Sequence, residues 1–76
     1  MDLTAAERAI LLQVRDLFGE ASVTSYRKAS LISRWPAAER DTYQSAFNEL
    51  VRKGLLVQDP GEQMFGVTAA GLMAMA

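Results

Sequence analysis

The chain has 76 residues, of which half are apolar and 22% are charged, and its formal net charge is −1. A chain of this length supports a single hydrophobic core, so residues 1–76 are expected to form one globular domain. Because the sequence contains neither cysteine nor histidine, disulfides, thiolate metal sites, the commonest metal ligand and the usual general base near neutral pH are all excluded.

The first predicted helix spans residues 5–18. Thr4 and Glu7 form a T-x-x-E capping box, in which each side chain satisfies a backbone N–H group of the other residue. One helical face is apolar, and it consists of Ala6, Ile10, Val14, Leu17 and Phe18. Gly19 is expected to end the helix. Leu12 lies opposite the apolar face, which is compatible either with a singly exposed leucine or with a contact patch.

A short extended stretch at Val23 and a second helix over residues 25–33 are predicted next. Ser22, Thr24 and Ser25 are all suitable N-caps for that helix. The helix is expected to break before Pro36, because a residue that precedes proline disfavours the helical conformation. We expect Trp35 to pack into the core at this turn rather than to stack on a nucleotide, since it is an isolated aromatic residue.

The third predicted helix, residues 37–53, has the clearest two-sided pattern in the chain. Its apolar face consists of Tyr43, Ala46, Phe47, Leu50 and Val51. Its opposite face is polar and consists of Asp41, Gln44, Ser45, Asn48 and Arg52. Lys53 lies at the C-terminal end, where a positive charge suits the helix dipole, and Gly54 is expected to end the helix.

After Gly54 the pattern predicts a β-hairpin and a final short helix. Residues 55–57 and 64–67 are the expected strands, and the Asp-Pro-Gly-Glu sequence at 59–62 is the turn between them. Thr68 is expected to cap a helix over residues 69–76. Gly71 would weaken that helix by about 1 kcal/mol relative to alanine.

This order of elements, together with two segments of sequence, resembles a winged helix-turn-helix domain. Residues 42–56 are similar to the recognition helix of bacterial winged-helix regulators. The similarity includes the L-x-x-K-G-L-L ending, which leads into the wing. Residues 67–71 are similar to the exit from the wing in multiple-antibiotic-resistance-type transcriptional regulators. The resemblance implies an α+β, mostly helical fold with a three-helix core, a hairpin wing and a short C-terminal helix.

The resemblance also implies a DNA-binding protein, with the third helix in the major groove. Asparagine and glutamine can pair with adenine and arginine with guanine, while serine and threonine can contact phosphate. The residues expected to contact base edges or nearby phosphates are Asp41, Thr42, Gln44, Ser45, Asn48 and Arg52. Those expected to neutralise the DNA backbone, from the second helix and the following turn, are Arg27, Lys28, Arg34 and Arg40.

The distribution of charge leaves a second function open. Residues 27–53 carry six basic and three acidic side chains, whereas the wing tip at 58–63 carries two acidic and no basic ones. The acidic tip and the near-neutral total favour a protein-interaction module on the same scaffold. We also expect that the protein can form a homodimer. Its contacts would be Leu12, Leu72, Met73 and Met75, although these residues could instead close the core of the monomer.

No motif of enzyme chemistry accompanies these features. Serine and threonine residues have no histidine to activate them, the carboxylates are scattered singly, and no phosphate-binding glycine loop is present. We therefore expect a protein without enzymatic activity or cofactor. We also expect a cytoplasmic location and no membrane partner, because no signal-peptide pattern or long apolar run occurs in this sequence.

Overall fold

The computed structural model describes residues 3–19, 25–61 and 63–75, which form an α+β fold. Its helices are α1 (Ala5–Gly19), α2 (Lys28–Ile32), α3 (Arg40–Arg52) and α4 (Ala69–Met75), and a 3₁₀ turn at Ala37–Glu39 precedes α3. Its strands are β1 (Tyr26–Arg27), β2 (Leu56–Gln58) and β3 (Met64–Val67). The arrangement is mostly helical and compatible with a winged helix.

The core lies where α1 packs against α3 and α3 packs against the sheet. Phe47 of α3 and Phe65 of β3 are its two largest fully buried side chains, and their rings meet edge to face at 5.9 Å. Trp35 is buried, as predicted, and its ring lies 6.3 Å from that of Phe47. The buried apolar residues are Ile10, Leu11, Val14, Leu31, Trp35, Ala46, Phe47, Leu50, Leu55, Leu56 and Phe65.

The capping box at the start of α1 is confirmed. The backbone N–H of Thr4 donates to Oε1 of Glu7 at 3.0 Å, and the backbone N–H of Glu7 donates to Oγ1 of Thr4 at 3.1 Å. The helix includes Gly19 as its last residue, one position beyond the expected end. Leu12 is 52% exposed on the outer face of α1, as its position in the sequence indicates.

The helix predicted over residues 25–33 begins three residues later than expected, at Lys28. Residue 23, where the extended stretch was expected, lies outside the described residues. The extended residues are instead Tyr26 and Arg27, which pair antiparallel with Phe65 and Met64 of β3. The ring of Tyr26 also packs edge to face against Phe18 at 4.8 Å. Pairing with a distant strand and this aromatic contact outweigh the local helix signal, so α2 has only five residues, Lys28–Ile32.

The third helix is not the one continuous α-helix over residues 37–53 that the sequence predicted. Its first turn, Ala37–Glu39, is a 3₁₀ turn preceded by Pro36, and the α-helix proper begins at Arg40. Lys53 is its C-cap rather than its last helical residue. A 3₁₀ start is common at helix ends, because its tighter hydrogen bonds satisfy backbone groups that an α-helix leaves free there.

The sheet has the strand order β1-β3-β2, with β3 in the centre. Strand β3 coincides with the predicted 64–67, whereas β2 lies one residue later than the predicted 55–57. Phe65 and Val67 point to the core side, opposite Gln58 and Leu56 of β2. The β2–β3 hairpin is the element that the sequence predicted as a wing.

Helix α4 returns the chain to α1 and is capped as predicted. Oγ1 of Thr68 accepts the backbone N–H of Gly71 at 3.0 Å and donates to the carbonyl of Gly54 at 2.6 Å. Gly71 has a packing role that the sequence did not indicate. A Cβ at this position would lie 2.1 Å from the carbonyl oxygen of Leu55, so only glycine permits α4 to approach the main chain this closely.

Candidate functional site

The most distinctive polar surface of the described residues is the outward face of α3. Gln44, Asn48 and Arg52 follow one another at intervals of four residues, so they form a single stripe along the helix. The opposite side of the helix is held against the core by Ala46, Phe47 and Leu50. A buried apolar face therefore fixes the direction in which the polar stripe points.

Two stripe residues are joined to each other. Nε2 of Gln44 donates to Oδ1 of Asn48 at 3.0 Å. This bond leaves the Oε1 carbonyl of Gln44 as an unused acceptor and the Nδ2 amide of Asn48 as an unused donor.

The third stripe residue, Arg52, forms a two-pronged ion pair with Glu49. Nε and Nη2 of Arg52 donate to the two carboxylate oxygens of Glu49 at 2.9 and 2.6 Å. The hydrogen bonds from Arg52 lower the pKa of Glu49, and the same hydrogen bonds raise the pKa of Arg52. The Arg52 side chain is nevertheless 71% exposed, so the end of its guanidinium remains accessible.

The remaining expected contacts of α3 lie in its first half. Asp41, Thr42 and Ser45 are exposed. Asp41 and Ser45 lie on the side of the helix that carries the stripe, whereas Thr42 lies toward its other flank. The structure thus brings most of the predicted α3 residues together on one exposed surface.

The four expected backbone-neutralising residues lie on different elements. Arg40 is the first residue of α3 and Arg34 lies in the turn before it, and both are exposed. Arg27 is exposed on β1 rather than on the second helix, which corrects its predicted element. Lys28 differs from the others because its Nζ lies 4.7 Å from the centre of the Phe47 ring, so part of its side chain serves to cover the core.

A groove of about 640 Å³ lies beside α2 and the β2–β3 hairpin, and its lining includes Arg27, Lys28, Gln63 and Met64. The backbone N–H of Lys28 donates to the carbonyl of Gln63 at 2.8 Å, and Arg27 pairs with Met64 in the sheet. These contacts join the two parts of the chain that line the groove.

The turn between α2 and α3 is closed by backbone hydrogen bonds at Arg34 and Trp35. The backbone N–H groups of Arg34 and Trp35 donate to the carbonyls of Leu31 and Ile32, each at 3.0 Å. The Trp35 ring lies 6.0 Å from that of Tyr43 on α3. This contact packs the turn against α3.

The hairpin turn is organised by Asp59. Its Oδ1 accepts the backbone N–H groups of Gln63 and Met64, both at 2.9 Å. The hydrogen bond from the Met64 N–H has the largest effect and lowers the pKa of this carboxyl group; desolvation opposes it, and the hydrogen bond from Gln63 lowers the pKa further. Asp59 is therefore a structural residue of the turn. The second acidic residue of the predicted tip, Glu62, lies outside the described residues.

Two acidic residues have partners that the sequence did not single out. The pairing of Glu49 with Arg52 could have been found from their i, i+3 spacing. Glu7 was predicted only as a cap, but it is also paired with Lys53, whose Nζ lies 2.7 Å from Oε2. No local signal joins residues 7 and 53, because their contact depends on the packing of α1 against α3.

The described residues contain no group of three or more acidic side chains that would hold a metal ion. Among them, no helix is both long enough and apolar enough to cross a membrane. Comparison with known proteins yields no relative, since no family model, curated protein or solved structure matches the chain.

Proposed function

We propose that this protein is a winged-helix transcriptional regulator that binds double-stranded DNA, with α3 in the major groove. The observation that carries the proposal is the stripe of Gln44, Asn48 and Arg52 on a helix whose other face is locked into the core. An α-helix fits the major groove, and these three residue types are those that pair most readily with purine edges. The α2–turn–α3 order before the stripe and the β2–β3 hairpin after it support the winged helix-turn-helix interpretation.

The basic side chains around α3 support contact with phosphates. Arg34 and Arg40 are exposed at the end of α3 that enters from the turn, and Arg27 is exposed beside the groove along the hairpin. When arginine side chains in such positions bind phosphates, counterions are released from the DNA, so the affinity falls steeply as the salt concentration rises. The partly covered Lys28 is expected to contribute less than these three.

The acidic residue of the hairpin turn does not weigh against this function as strongly as its charge implies. The carboxylate of Asp59 is occupied by two backbone N–H groups of its own turn. Its negative charge is partly compensated by those donors, so repulsion from a phosphate backbone is smaller than for an unpaired carboxylate.

The test is an NMR titration of labelled protein with a mixed-sequence DNA duplex at low salt and again at physiological salt. We expect shifts concentrated on residues 40–52 and near Arg34 that weaken steeply as salt increases. The variant Arg34→Ala should reduce the slope of log affinity against log salt by about one. Arg15→Ala, an equal change of charge at an exposed position of α1, should leave the slope near that of the unchanged protein. The absence of any shift at low salt contradicts the proposal.

A protein-interaction module is the second candidate function, and exposed apolar side chains favour it. Leu72 and Met73 of α4 are 57% and 78% exposed, and α4 packs against α1, which carries the exposed Leu12. The side chain of Met75, the fourth residue expected in an interface, lies outside the described residues. These side chains also support a homodimer as the form in which the protein acts.

Light scattering at high micromolar concentration tests the homodimer. A mass twice the 8.3 kDa of the chain, which falls toward 8.3 kDa in the variant Leu72→Ser/Met73→Ser, supports it. A mass of 8.3 kDa for the unchanged protein contradicts it.

For the interaction module, binding to a protein partner should persist when Gln44, Asn48 and Arg52 are all replaced by alanine. Loss of that binding would contradict this function.

A further inference from the structure

The geometry of α3 points to two base-reading units, in which Gln44 and Asn48 jointly read an adenine and Arg52, positioned by Glu49, reads a guanine about two base pairs away. This inference rests on the DNA-binding function proposed above. It goes beyond that function because it assigns the bases, their spacing and a positioning role for an acidic residue.

The adenine unit follows from the hydrogen bond within the Gln44–Asn48 pair. Because Nε2 of Gln44 already donates to Oδ1 of Asn48, the pair presents the Oε1 carbonyl of Gln44 and the Nδ2 amide of Asn48. In the major groove, adenine offers an acceptor at N7 and a donor at its N6 amino group. The Asn48 amide can donate to N7 while the Gln44 carbonyl accepts from N6, so two residues share the contact that one amide side chain often makes alone.

The guanine unit follows from which edge of the Arg52 guanidinium is occupied. Glu49 takes the side edge, formed by Nε and Nη2. The end edge, formed by Nη1 and the second hydrogen of Nη2, points away from Glu49 on a side chain that is 71% exposed. Guanine offers two acceptors, O6 and N7, which match that end edge. Glu49 therefore leaves the reading edge free while it restricts the rotation of the arginine side chain.

The spacing of the two units follows from helix geometry. The centre of the Gln44–Asn48 pair lies six residues before Arg52 in the sequence of α3. In zinc-finger helices that lie in the major groove, residues about three positions apart contact successive bases. The adenine and the guanine are thus expected about two base-pair steps apart.

Selection of duplexes from a pool with a randomised core tests the inference. The unchanged protein should enrich adenine and guanine at two positions separated by about two steps, each preferred over the other bases by roughly 5- to 150-fold. Asn48→Ala should lose the adenine preference and keep the guanine preference, and Arg52→Ala should do the reverse. Both substituted side chains are exposed, and circular dichroism checks that each variant is folded.

Glu49→Ala separates positioning from simple repulsion of phosphates. If Glu49 positions Arg52, the variant loses most of the guanine preference although its affinity for all duplexes at low salt rises. If Glu49 only repels phosphate, affinity rises and the guanine preference stays unchanged, which overturns the positioning role. Glu49→Gln, which keeps one acceptor for Arg52, should restore part of the preference.

Different results contradict the assignment of bases and the DNA-binding function itself. Enrichment of no base at all, or base preferences that survive both Asn48→Ala and Arg52→Ala, overturns the assignment of bases while DNA binding itself stands. Failure of every duplex to bind at low salt overturns both. The variant Arg15→Ala serves as the matched control, because it removes an exposed arginine that belongs to neither unit.

Discussion

Nζ of Lys53 lies 2.7 Å from Oε2 of Glu7, and this ion pair joins the first turn of α1 to the C-terminal end of α3. Glu7 is only 2% exposed, whereas 22% of the Lys53 side chain remains exposed. Burial raises the pKa of Glu7, but the hydrogen bonds from Lys53 and Thr4 together outweigh it and hold the pKa below its ordinary value. The carboxylate therefore combines a helix cap with a tertiary contact to the helix that carries the polar stripe.

Removal of the lysine from this pair is expected to destabilise the fold. Lys53→Met leaves a buried carboxylate without its cationic partner, which should lower the free energy of unfolding by about 3 kcal/mol. In the double variant Glu7→Gln/Lys53→Met, the glutamine keeps an acceptor for the N–H of Thr4 and carries no charge. Chemical denaturation should show the double variant to be more stable than Lys53→Met alone. A double variant of equal or lower stability would contradict the importance of the buried charge.

The lowered pKa of Glu7 makes stability depend on pH in the acidic range. The ordinary value is 4.5, and the folded value lies below it. The ionised group therefore contributes its full stabilisation above about pH 4.5, and this contribution is lost as the pH falls through the folded pKa. Glu7→Gln should lose less stability than the unchanged protein between about pH 6 and about pH 3, as measured by thermal unfolding. Equal losses in the two proteins would show that Glu7 does not titrate in this way.

Gly71→Ala is expected to destabilise the protein although alanine favours helices. The added Cβ would meet the carbonyl oxygen of Leu55 at 2.1 Å and Cγ2 of Val67 at 2.7 Å, so α4 would have to move away from the main chain. The gain of about 1 kcal/mol in helix propensity is smaller than this steric cost, and a net loss of about 2 kcal/mol is expected. Ala70→Gly, at an exposed neighbouring position, isolates the propensity effect and should cost about 1 kcal/mol. A stabilised Gly71→Ala variant would be incompatible with the close approach of α4.

Asp59→Ala is expected to loosen the β2–β3 turn without unfolding the core. The backbone N–H groups of Gln63 and Met64 would lose their shared acceptor, and their hydrogen exchange should become faster. Asp59→Asn retains a carbonyl oxygen at the same position and should show an intermediate effect. Amide exchange in α3 serves as the internal reference and should stay unchanged. Unaltered exchange at residues 63 and 64 would mean that Asp59 does not organise the turn.

The sequence alone determined the elements whose signals are local. The Thr4–Glu7 capping box, the two faces of α3, strand β3 and the Thr68 cap each depend on residues within a few positions of one another, and the structure contains all of them. The direction of the polar stripe was also predictable, because helical periodicity fixes which side chains oppose an apolar face. The Gln44–Asn48 and Glu49–Arg52 pairs follow the same short-range rule.

Tertiary structure alone decided the features that join distant residues. Tyr26 and Arg27 became a strand because β3, nearly forty positions later, offers them a partner, and this pairing overrode a local helix signal. Lys53 looked like a helix-end charge until the packing of α1 against α3 brought it to a carboxylate 46 residues away. Gly71 looked like a weak helix residue until the main chain at Leu55 was found against it. Local patterns specify elements because their hydrogen bonds close within one or two turns, whereas contacts between elements depend on how the core packs.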